Sequence, residues 1–246
     1  MLTNYSEEAI MNLVNPLWFN TYWVKNALEQ FQVISKYTSE LSKTDSQFWI
    51  LTQKFSLDGA VIGLCKIYDK STSYNKHAMP ELIKFIKENF SAHHISNIQI
   101  DSLVSLKIKR KTAEEIKFSL YDNEIKFLNN KNRLFSAIGE NIPKYKKDDG
   151  TPLERLFKFR DKIAAHQEQL DDALQEQVNL LPSIEKMEEL NELAMNFCNL
   201  FVQIFTGKNI TKYNSTWMKT IAVIRSVLGD KFNEEEEMTI NYRRNT

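Results

Sequence analysis

The apolar positions along this chain recur with the period of an α-helix almost from end to end. Leu17, Val24, Leu28 and Phe31 form one stripe, predicting a helix that runs to about residue 43. A second helix, from roughly 46 to 69, carries Leu51, Phe55, Ile62 and Cys65 on one face. Gly59 and Gly63, four apart on that helix, would let a neighbouring helix approach closely. Pro80 opens a shorter helix in "ELIKFIKENF". Thr112 with Glu115 reads as a capping box for a helix reaching Ile138, with Gly139 as its stop. Another helix starts after Pro152, and Ser183 caps one whose Leu190, Leu193, Phe197, Leu200 and Ile204 have the spacing of a buried seam. A last helix aligns Trp217, Ile221, Ile224 and Leu228. "IQIDSLVSLKI", residues 98–108, has the composition for a short strand or hairpin, but the helical pattern around it outweighs that.

The expectation is an all-α bundle of long antiparallel helices with shorter additions, a single domain over 1–246 with its core at about 15–230. Five prolines and six glycines fall mostly where periodic segments begin or end, and no repeat or domain boundary interrupts them. Lysine plus arginine and aspartate plus glutamate both total 32, so any grip on a polyanion must come from a local patch. The runs "KIKRK" at 107–111 and "KYKK" at 144–147 are the two candidates. Cys65 and Cys198 lie inside apolar helical patterns and read as buried free thiols, in keeping with a cytoplasmic protein. The polar opening "MLTNYSEEAI" is unlike a signal peptide, and the run "AVIGL" is too short to span a bilayer.

Candidate chemistry concentrates in "FRDKIAAHQE", residues 159–168. On a helix, Leu153, Leu156, Phe157, Ile163 and Ala164 form an apolar stripe with Arg160 near its centre. A guanidinium stays charged, so it must meet an anion or open into a polar cavity. Asp58 shares the apolar stripe of the second helix and Asp69 returns to it, so a bidentate Arg160–Asp58 contact is expected, or failing that Arg160–Asp69. Arg155, Phe159, Lys162 and His166 follow a 4-3-4 spacing, a basic face with one aromatic that suits a phosphate. Arg160 and His166 stand about 120° and roughly 9 Å apart on one straight helix, and would meet more easily across a two-fold axis. His77, His93 and His94 have no Cys or carboxylate at ligand spacing and read as surface residues, so no metal site and no cofactor is expected. Trp18, Trp23, Trp49 and Trp217 read as core.

The segment "RDKIAAH" resembles the signature of the HEPN superfamily of helical domains, an arginine, a polar residue and a histidine after four more. The helix "FWILTQKFSLDGAVIGLCKIYDKS" looks like the upstream helix of its abortive-infection, AbiU-like branch, which ends in Tyr-Asp. The likeness spans roughly residues 15 to 230. It implies a homodimer with the motif helices lining a cleft, and a metal-independent ribonuclease or a non-catalytic binder of RNA, nucleotide or partner protein. Carried over, Arg160 would hold the scissile phosphate, Asp161 would orient the site and His166 would be the general acid or base; the basic face read above adds Arg155 and Lys162 as candidate substrate-binding residues. Two departures stand out. Asp161 places a negative charge where an asparagine would be neutral, and His166 is followed by Gln-Glu where one subgroup has a modifiable tyrosine.

Overall fold

The computed structural model describes residues 5–69, 77–120, 124–147, 149–165, 181–210 and 217–229, with side chains left out at 124–130, 162–165 and 217–221. The protein is an all-α helical bundle, with no strand among these residues. In chain order the helices are α1 (Glu7–Lys36), α2 (Thr38–Tyr68), α3 (Met79–Asn89), α4 (Ile100–Val104), α5 (Arg110–Ser119), α6 (Glu124–Asn141), α7 (Pro152–Ala165), α8 (Ile184–Thr206) and α9 (Trp217–Leu228), with a 3-10 turn at Ala92–Asn97. They gather into two compact units, residues 1–25 with 59–213 and residues 26–58 with 214–246.

The first unit is built around α8. Leu193, Phe197, Leu200, Phe201 and Ile204 are buried along it, and Ser183 caps its start by accepting from the Lys186 N–H. Its end is closed by Gly207 at φ 72°, a left-handed turn in which the Gly207 N–H donates to the Gln203 carbonyl. Phe201 and Phe205 of this end meet Phe85 of α3 at ring separations of 5.8 and 5.5 Å. Polar ties fix the mast in place: Asn191 Nδ2 donates to the Thr21 carbonyl at 3.0 Å, and Asn97 Nδ2 to that of Ile204 at 2.9 Å. The paired glycines work as expected, since a Cβ at Gly63 would collide with the Val24 side chain and one at Gly59 would touch Trp23. The second unit packs Val33, Ile34, Tyr37, Leu41 and Trp49 against Ile224 and Leu228 of α9.

Several expected boundaries move. The first helix ends at Lys36, not near 43, and the break expected around 45 appears as a kink at Asp45 inside α2 (φ −151°, ψ 93°). There the Asp45 carboxylate accepts from the Phe48 N–H at 3.0 Å, restarting the helix as an N-cap does. Thr112 lies inside α5, whose cap is Lys109, and the helix expected over 112–138 is divided into α5 and α6. Gly139 does not stop α6, which continues to Asn141. The ambiguous segment 98–108 contains α4, a helix of five residues.

The stripe read from α2 is the largest correction. Cys65 is buried, but Leu51, Phe55 and Ile62 are exposed, Phe55 at 66%. The buried face is carried instead by Ala60, Val61, Leu64, Ile67 and Tyr68. Trp18 and Trp49 are core as expected, while Trp23 is exposed at 56%. The side chain of Trp217 lies outside the described residues.

Candidate functional site

Helix α7 begins with Pro152 at its first turn, where a missing N–H costs nothing, and buries Leu153, Leu156, Phe157 and Phe159. Arg160 interrupts that face with its side chain one-third exposed. Three contacts hold it. Its guanidinium carbon lies 4.6 Å from the centre of the Phe157 ring, a stacked cation–π contact. Nε and one terminal nitrogen donate to the same Asp161 oxygen, at 3.0 and 2.8 Å. The other terminal nitrogen faces the Asp69 carboxylate at 3.7 Å, too far for a hydrogen bond.

Of the two carboxylates expected beside Arg160 on α2, Asp69 is the one in place. Asp58 is engaged by Lys54 one turn earlier, at 2.6 Å. The physical reason lies in the sequence: a lysine four residues before an aspartate on the same helix reaches it without any tertiary contact. Burial opposes the charge on Arg160, and the Asp161 hydrogen bonds with the nearby acidic groups outweigh it. Arg160 with Asp69 and Asp161 makes a local balance of one positive and two negative charges.

The Tyr68–Asp69 pair at the end of α2 has two separate tasks. Tyr68 is buried and donates its hydroxyl to the Leu190 carbonyl of α8 at 2.6 Å, which anchors the helix end. Asp69, the next residue, is thereby presented to Arg160. Cys65, one turn earlier, is fully buried, and its thiol is pushed up to about 12, chiefly by burial and partly offset by Arg160. It is no nucleophile at neutral pH.

Sequence reasoning missed the aromatic support. Tyr145, inside "KYKK", packs its ring 4.6 Å from Phe157, which in turn carries Arg160. The same run carries exposed Lys144, Lys146 and Lys147 beside Tyr145. The only signal available beforehand was an aromatic in the middle of a basic run. In "KIKRK" two charges are already paired, Lys107 with Glu189 at 3.6 Å and Arg110 with Asp101 at 2.7 Å.

Of the expected basic face of α7, the side chains of Arg155 and Phe159 are described. Phe159 is buried, and Arg155 donates to the Leu181 carbonyl at 2.8 Å, so it ties α7 to the start of the α8 segment. The Lys162 side chain and all of His166 lie outside the described residues. His94, expected at the surface, is buried beside Phe205 at a ring separation of 4.9 Å.

Among the described residues, no three His, Cys, Asp or Glu side chains gather as a metal site needs, and no helix is long and apolar enough to cross a membrane. Comparison with protein-family models, with curated proteins and with solved structures finds no match.

Proposed function

We propose that this chain is a HEPN-like, metal-independent endoribonuclease that acts as a homodimer, an effector of the abortive-infection type in defence against phage. The observation that carries the reading is Arg160, a partly exposed guanidinium held by stacking on Phe157 and by Asp161, beside the buried Leu153, Leu156 and Phe157 of the same helix. A pre-oriented arginine of this kind stabilises charge as it develops on a phosphate, without the reorganisation a mobile side chain would need.

The chemistry follows from RNA's own nucleophile. The 2′-oxygen attacks phosphorus and loses its proton to a base, the 5′-oxygen leaves and receives a proton from an acid. The products are a 2′,3′-cyclic phosphate and a 5′-hydroxyl end. His166 supplies the proton transfer, as a side chain that titrates near neutral pH. Arg160 receives the phosphate on the terminal nitrogen facing Asp69, because Asp161 already occupies its other edge. Asp161 is the positioning residue, and the lysines beside Tyr145 steer the strand toward α7. Exposed Phe48, Leu51 and Phe55, at helical spacing on α2, supply an apolar face for the homodimer.

The test is cleavage of total RNA and tRNA by wild type and His166→Ala in EDTA. Cleavage by wild type alone, leaving cyclic-phosphate ends, is the expected result. A second reading is a non-catalytic helical dimer that binds RNA, a nucleotide or a partner protein. It is favoured by the compensation of Arg160 by two carboxylates. Absence of cleavage by a folded, dimeric wild type decides for that second reading.

A further inference from the structure

We propose that the cleft between α3 and α6 is a binding site for a phosphate dianion carried by a small ester. The cleft has a volume of about 240 Å³ and is lined by Lys87, Lys131, Asn132, Phe135 and Ser136. Two lysines, an asparagine and a serine thus line it together with one phenylalanine, and no aspartate or glutamate is among them. A dianion matches the two positive charges, and the neutral donors complete its coordination. The volume suits a small phosphorylated molecule and is below the usual range of roughly 300–1,000 Å³ for larger ligands.

The site is built rather than a chance meeting of surface lysines. Lys131, Asn132, Phe135 and Ser136 repeat at i, i+1, i+4 and i+5, which sets them on one flank of α6. Lys131 donates to the carbonyl of Phe90, the residue capping α3, at 2.8 Å. That bond fixes the last turn of α3, where Lys87 stands, against α6. An ammonium has three donors, so the tie to Phe90 leaves Lys131 able to hold an anion too. The Phe90 and Phe135 rings meet edge to face at 5.7 Å, a second contact that holds the end of α3 on α6.

Lys131 and its neighbour His94 are both disfavoured in their charged forms. Burial pushes the Lys131 ammonium down from its ordinary value. His94 is held down to about 4, first by burial and then by His93 and Lys131. A phosphate entering the cleft supplies a counter-charge. This inference does not depend on RNA cleavage, since none of these residues belongs to the Arg160 site.

Calorimetric titration of the full chain with phenyl phosphate, inorganic phosphate and phenol tests it. Saturable binding of both phosphates, without binding of phenol, is expected. A tighter grip on the ester assigns the site to a phosphorylated metabolite and an equal grip to free phosphate, and both support a phosphate site. Lys87→Gln should weaken binding at least tenfold and Ser136→Ala severalfold. Lys87 is exposed and its loss removes no structural tie, unlike that of Lys131. Phenol binding as well as phenyl phosphate, absence of saturable phosphate binding, or affinity indifferent to Lys87→Gln would overturn the proposal.

Discussion

Asp161 holds Arg160 through one oxygen and adds a negative charge that is largely exposed, at 67%. An asparagine at this position keeps an oxygen for the guanidinium and removes the charge. Asp161→Asn is therefore expected to tighten RNA binding about three- to tenfold at low salt, with the gain shrinking as salt is added. Filter binding across a salt series checks it, and an unchanged affinity at low salt sinks the electrostatic argument. His94 gives a second residue-scale expectation. Its folded value is about 4 against the ordinary 6.5, so the unfolded chain binds the extra proton first as pH falls. The protein keeps full stability from this group above pH 6.5 and loses it progressively toward pH 4. At pH 5 the loss is on the order of 1 kcal/mol after discounting for solvent screening. Urea unfolding of wild type and His94→Phe at pH 7 and pH 5 reads it, with a smaller pH-dependent loss in the variant.

Gly63 decides how α1 and α2 approach. A methyl group there collides with Val24, whose branched side chain has little rotamer freedom in a helix. Gly63→Ala should thus destabilise by about 1–2 kcal/mol despite alanine's better helix propensity. In a Val24→Ala background the same change should reverse sign and stabilise by up to ~1 kcal/mol, as the collision is gone. Equal effects in both backgrounds, by thermal or urea unfolding, would show that no steric contact is at work. Elements that stand on local chemistry were legible beforehand: the Ser183 cap, the seam of α8, the start of α7 at Pro152 and the glycine pair. The face of α2 was not. Leu51, Phe55 and Ile62 read as core because helical spacing reports which residues share a side, not which side meets a neighbour. Thr112 and Glu115 had the spacing of a capping box, yet α5 begins two residues earlier, at Arg110.

The exposed apolar residues acquire meaning only for the molecule in solution. Phe48, Leu51 and Phe55 lie uncovered on α2 in the second unit, a costly arrangement for a chain that stays monomeric. For the homodimer we propose, a Leu51→Glu and Phe55→Glu variant should raise the dissociation constant at least tenfold, read by analytical ultracentrifugation. A dimer of unchanged strength would remove this face from the interface. Of the candidate site, the sequence marked Arg160 through its conflict with an apolar stripe, and Asp161 only through the resemblance of "RDKIAAH" to a family signature. Which carboxylate of α2 reaches Arg160, the aromatic ladder from Tyr145 and the burial of His94 needed the tertiary structure. The sequence by itself determined an all-α protein, because helical periodicity, caps and breakers act within a few residues. Tertiary structure alone decided which distant charges meet and which faces are covered, because helical spacing fixes only the partners within a turn or two. Asp58 took Lys54 four residues away on its own helix, while Arg160 met Asp69, brought from far earlier in the chain.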